Sequence, residues 1–135
     1  AELSAIALDL TCHYVGRIPA VNPVSRYRER FADDMKWLAN QDMSVFYKYA
    51  FATLRQCGAC AEMAATFLTW LSDRGGEPTP AIAEFGSIAT DAKALQFKIA
   101  RMMATKRPAD LAALLDQMET AWGRATTDLV ARYAT

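Results

Sequence analysis

Between Asp42 and Arg74 apolar residues occupy most of the circumference of a helix, leaving only a narrow polar stripe through Lys48, Arg55, Glu62, Thr66 and Thr69. Val45, Tyr49, Ala52, Met63, Phe67 and Trp70 fill one side of it, and Phe46, Leu54, Cys57, Ala64, Leu68 and Leu71 cover much of the rest. A helix this apolar has to be enclosed by other helices or by lipid. A membrane span needs about 20 apolar residues, and a central charge costs roughly 2.5 kcal/mol or more. Every such window here holds Arg55 together with Lys48 or Glu62, so enclosure by partner helices is expected. At roughly 1.5 Å per residue this third helix would approach about 50 Å, enough to touch every other.

The flanking patterns predict four more helices. Leu3, Ile6, Ala7, Leu10 and Tyr14 fall on one face of a first helix from Glu2 to Gly16. Asn22-Pro23, a cap residue followed by proline at the first helical position, starts a second. Its inner stripe is Val24, Tyr27, Phe31, Met35 and Leu38, and Arg26, Glu29, Asp33 and Lys36 form a solvated outer face. Asp42 caps the third helix after the short break at Asn40-Gln41. Gly75-Gly76-Glu77-Pro78 is the strongest boundary, and Thr79-Pro80 opens a fourth helix. Ile82, Phe85, Ala89, Ala92, Gln96, Ile99 and Met103 share that helix's inner face, and Arg107-Pro108 ends it. The fifth presents Leu111, Leu114, Leu115, Met118, Trp122, Ala125, Leu129 and Tyr133. No stretch alternates apolar and polar residues long enough to read as a strand, and there is no internal repeat. The fold class expected is all-α: a five-helix up-and-down bundle around a long central third helix, one domain over residues 1–135.

Composition agrees with a packed core. At 135 residues and 53% hydrophobic, the chain suits one domain that buries roughly two-thirds of its unfolded surface. Fifteen basic and fifteen acidic side chains balance, so no global field draws nucleic acid or anionic lipid. No secretory signal pattern opens the chain, and the cysteine count is odd without a disulfide scaffold, which makes a reducing cytoplasm the expected compartment. The opening Ala1-Glu2-Leu3, in helical register without an initiator Met, suggests a fragment or the C-terminal domain of a longer protein.

Cys57-Gly58-Ala59-Cys60 has the spacing of a redox pair, but such pairs sit at helix N-termini, where the dipole lowers the thiol pKa. Mid-helix, both thiols read as small hydrophobes that permit close helix approach. Zinc on Cys12, His13, Cys57 and Cys60 is disfavoured because neighbouring residues of one helix diverge. His13 is the sole histidine, so the Glu-x-x-His pairs of a di-iron bundle are missing, and no local motif announces a nucleophile. No catalytic residue, metal ligand or cofactor is assigned. Gln56 and Gln96 fall on apolar faces, where a buried amide needs a partner or costs on the order of 1–3 kcal/mol. Mutual bonding would satisfy them. Alternatively, Arg55, Gln56, Lys93 and Gln96 line a groove for a ligand or another domain. Lys98, Arg101, Lys106 and Arg107 suit the C-terminal end of a helix dipole, or else an acidic or phosphate-bearing partner.

Two stretches, Tyr49–Gln56 and Ala92–Arg101, together with Asn22-Pro23 and Trp122, resemble the C-terminal portion of the bacterial domain-of-unknown-function family DUF1839. The resemblance covers most of the chain and places Arg55, Gln56, Lys93, Gln96 and Lys98 at the family's motif positions, with no catalytic residue to transfer. It implies a longer parent with an N-terminal part akin to papain-like acyltransferases, encoded beside carrier proteins and the ligases that load them. Taken with the polar residues on inner faces, the resemblance suggests a non-catalytic accessory domain, meeting a carrier protein or an absent N-terminal domain through Arg55, Gln56, Lys93, Gln96, Lys98 and Arg101, residues for which the family establishes no role. A full-length protein could then be an acyl or aminoacyl transferase. The alternative is a structural bundle that self-associates into a homo-oligomer without a ligand. Neither reading involves nucleic acid or a membrane.

Overall fold

The computed structural model describes residues 2–75 and 77–134, and among these no residue is in a strand. Gly76, part of the expected boundary, and Ala1 of the opening stretch lie outside the described residues. Five helical rods follow one another: α1 (Glu2–Val15), α2 (Pro23–Leu38), the long α3, α4 (Ala81–Thr105) and α5 (Ala112–Tyr133). Rod α3 consists of Met43–Ala50, a π-helical turn at Phe51–Arg55, and Gln56–Asp73, with right-handed helical backbone at both junctions. It is continuous, as the apolar run predicts.

The helix starts form through the expected caps. Asn22 Oδ1 accepts the Val24 amide at 2.9 Å, beside Pro23 at the first helical position. Asp42 Oδ1 accepts the Val45 amide at 3.2 Å and the Ser44 hydroxyl at 2.6 Å, and these bonds, Ser44 first, hold the Asp42 carboxyl below its ordinary value. The Thr79 hydroxyl accepts the Ala81 amide at 3.0 Å and donates to Asp128 of α5, tying the start of α4 to the end of its neighbour. Helix α4 closes on Lys106, which adopts the left-handed conformation at φ 56° just before Arg107-Pro108.

The core is built on α4, which lies between α3 and α5 and runs antiparallel to both. Gly58 of α3 faces Ala89 and Ala92, and Phe85 meets Trp122 of α5 edge-on at 6.2 Å between centroids. Contact on two sides explains why Ile88, Asp91 and Leu95 are buried in addition to Phe85, Ala92, Ile99 and Met103. A single expected stripe contained only the last four. Asp91 is the cost of this double burial: its Oδ2 has no hydrogen-bond partner, and burial raises its carboxyl above the ordinary 3.8.

Helices α1 and α2 rest on this three-helix layer mainly through α5. Asn22 Nδ2 and the Ser25 hydroxyl bond Glu119, and Arg28 pairs with Asp116. On α1 the expectation fails. Thr11 and Val15 are its buried residues, whereas Leu3 and Ile6 point to solvent and Leu10 and Tyr14 are more than half exposed at the edge of an apolar lobe beneath the helix. The narrow, small-residue edge through Ala7 seats the helix, and the broad apolar stripe is left uncovered.

Space at the glycines differs sharply. A Cβ on Gly58 would stand 3.4 Å from the Ala92 Cβ, whereas one on Gly123 would meet nothing within 4 Å. Gly123→Ala is expected to stabilise the fold by about 0.5–1 kcal/mol, the usual helix-interior difference. Gly58→Leu should destabilise it by about 1–3 kcal/mol through overpacking. Urea midpoints at constant m-value check both.

Candidate functional site

An open groove of about 880 Å³ runs along the seam between α3 and α4. Its floor is low because Gly58, Ala59 and Ala65 of α3 oppose Gly86 and Ala89 of α4. Arg55 and Glu62 stand on one rim, Lys93 and Gln96 on the other. Past Arg55 and Gln96, which belong to both, the groove opens into a second depression of about 650 Å³. Three aromatic rings edge that end, with Tyr47 63%, Phe51 56% and Phe97 70% exposed. The Arg55 guanidinium sits 5.7 Å from the Phe51 ring centroid, a cation–π contact that points it along the seam. Among the described residues the ion pairs all use Arg28 or Arg132, so Lys48, Arg55 and Lys93 present unpaired charge on this face.

The structure therefore gathers Arg55, Lys93 and Gln96, from two helices remote in sequence, into one groove. It does not bring in the remaining candidates. Lys98 and Arg101 are exposed on α4 and line neither depression. Gln56 is exposed as well, and the expected bond to Gln96 is not made; the Gln96 amide instead donates to the Ala92 carbonyl at 3.4 Å. Gln56 does share a face with Met63 and Phe67, but that face is the one α4 and α5 leave open, and Met63 is 72% exposed. The aromatic end was missed because the expected faces of the third and fourth helices included none of Tyr47, Phe51 and Phe97. Their signal is placement beside Lys48, Arg55 and Lys98, on the charged sides of their helices.

The cysteines lie elsewhere. Cys57 is half-buried on the side of α3 turned toward α2, and Cys60 is exposed. Burial pushes the Cys57 thiol above its ordinary value, with the Cys60 thiol adding to the effect, the reverse of what a redox nucleophile needs. All three cysteines are free, and among the described residues no group of three or more His, Cys, Asp or Glu side chains could hold a metal. No helix of the described residues is long and apolar enough to cross a membrane.

Beside Cys57, the Tyr49 hydroxyl donates to Asp34 Oδ2 at 2.8 Å, which leaves its oxygen to accept from Tyr27 at 2.8 Å. This relay joins α2 to α3. Burial is the main reason the Tyr27 phenol is pushed up to about 12, and burial likewise raises Tyr49. The folded state thus favours protonated Tyr27, and its contribution is full below the unfolded value of about 10 and lost as pH rises toward 12. Urea midpoints should fall between pH 10 and 12, and fall less steeply in Tyr27→Phe; equal slopes would show that the relay carries no such penalty.

No curated protein and no solved structure matches this chain. The family model described as the DUF1839 C-terminal domain matches residues 1–131, a span that takes in every helix from α1 to α4, all but the tip of α5, and both rims of the groove. The chain belongs to the DUF1839 C-terminal domain family.

Proposed function

We propose that this chain is a non-catalytic helical interaction domain whose α3–α4 groove receives the phosphopantetheine arm of a carrier protein, in the service of aminoacyl or acyl transfer. The observation that carries this reading is the convergence of Arg55, Lys93 and Gln96 on one open groove. Arg55 and Lys93 are paired neither with Glu62 on the rim nor with any other carboxylate among the described residues, which suits a phosphodiester. Small residues on the floor leave room for an extended arm, and the Gln96 side chain can meet its amides. The aromatic end offers apolar contact for whatever the arm carries. Chemistry would reside in the partner or in another domain, since no thiol or imidazole lines the groove and its Thr69 and Thr90 hydroxyls are bonded to backbone carbonyls.

Titration of the ¹⁵N-labelled domain with a carrier protein, with and without its phosphopantetheine arm, tests this. Arm-dependent shifts are expected at Arg55, Lys93 and Gln96, and Arg55→Ala and Lys93→Ala should each weaken binding about tenfold or more. Shifts that ignore the arm, or that bypass these residues, refute it.

The exposed stripe of α1 supports a second reading, a bundle that self-associates. Leu3 and Ile6, together with the exposed parts of Leu10 and Tyr14, form an apolar row of the kind that marks interaction surfaces. Sedimentation equilibrium should then show a dimer that Leu10→Glu dissociates; a monomer at high concentration removes this reading.

A further inference from the structure

A second opening lies across the bundle from the groove, and its chemistry is different. Between α2 and the α3–α4–α5 layer is a cleft of about 500 Å³, floored by the buried side chains of Leu54, Ile88 and Met118. It adjoins a lobe of about 480 Å³ beneath α1, and Ala64, Phe85 and Trp122 line both. These volumes fall in the range of small-molecule sites, about 300–1,000 Å³.

The walls specify the occupant. No Asp, Glu, Lys, Arg or His lines either lobe, so nothing there can neutralise a charged ligand. The lining threonines are committed to backbone: Thr53 donates to the Tyr49 carbonyl at 2.7 Å, Thr11 to Ala7 at 2.7 Å, and Thr126 to Trp122 at 2.8 Å. Tyr27 gives its proton to Tyr49, because Tyr49 has spent its own on Asp34. The Cys57 and Cys60 thiols are weak donors, and Tyr14 stands at the exposed rim. A ligand of this cleft finds apolar contact and almost no hydrogen-bond donors.

We propose that this cleft binds an uncharged hydrocarbon chain, entering between α2 and α3 and lying against Ile88, Met118 and Trp122. The site is independent of the α3–α4 groove. Its selectivity is steric and apolar, and a carboxylate on the same chain is excluded for want of a cation.

Methyl-labelled protein titrated with hexanol, octanol and decanol tests this. Saturable shifts are expected at Ile88 and Met118 but not at Ile99 and Met103, which are buried yet line neither lobe. Affinity should rise roughly fourfold per added methylene, and decanoate at neutral pH should bind at least tenfold more weakly than decanol. Ala64→Phe, which fills the junction of the lobes, should lower decanol affinity at least tenfold; should it not fold, the wild-type chain-length series decides alone. Arg55→Ala/Lys93→Ala should leave decanol binding unchanged, which separates this site from the groove. Non-saturable or uniform shifts, affinity flat with chain length, or decanoate binding as well as decanol would overturn the proposal.

Discussion

The close approach of α3 to α4 at Gly58 is the constraint on which the remaining architecture turns. With no side chain there, the Ala92 Cβ comes to within 3.4 Å of where a Gly58 Cβ would be, and two long rods pack with almost nothing between them. Close packing leaves α4 buried on this flank as well as against α5, so its buried stripe, from Ala81 through Phe85, Ile88, Ala92, Leu95 and Ile99 to Met103 at steps of three and four, lies between the two contacts. It also sets the depth of the surface groove. Had larger residues stood at Gly58, Ala59 and Ala89, the seam would be filled, and Arg55 and Lys93 would project from a ridge instead of facing each other across a channel.

The π-helical turn at Phe51–Arg55 adjusts register along the same seam. A π turn takes more residues per turn than an α-helix, and across it the buried position Leu54 follows Ala50 at a second consecutive step of four after Phe46. Beyond it, Cys57, Ala61, Ala64, Leu68 and Leu71 return to alternating steps of four and three. The Thr53 hydroxyl, bonded back to the Tyr49 carbonyl at 2.7 Å, lies inside the turn. Both ends of the turn matter to the surface: Phe51 begins it, Arg55 ends it, and the two stack at the point where the polar and aromatic depressions join.

The two faces of the bundle are chemically opposed. On the α3–α4 side, cations and exposed rings surround a floor of small residues. On the α1–α2 side, the walls are apolar and their hydroxyls already bonded. The second layer is anchored by the buried apolar side chains of Val15, Val24, Phe31 and Leu38, and polar contacts fix its margins. The Asn22, Ser25 and Arg28 links to α5 and the Tyr27–Tyr49–Asp34 relay position α2 without filling the space beneath it. Partly exposed ion pairs such as Arg28–Asp116 add little stability, about 0–1 kcal/mol, so their role is chiefly to fix where α2 sits.

Local chemistry alone determined much of this protein. The caps at Asn22 and Asp42, the prolines that begin or end helices, and the apolar stripes of α2 and α5 act within a few residues of one another, and they fixed the elements and their order. The family was legible too, because its motif stretches are contiguous. Three things were decided only in three dimensions. Which side of α3 is covered depends on where α4 and α5 pack, and a helix apolar nearly all round does not say; Gln56 and Met63 therefore went to solvent. Likewise, α1 seats on its small-residue edge because close approach favours Ala7 and Thr11 over the bulkier Leu3 and Ile6. The meeting of Arg55 with Lys93 and Gln96, and the exclusion of Lys98 and Arg101, come from the antiparallel register of two helices, a long-range relation that no local pattern encodes.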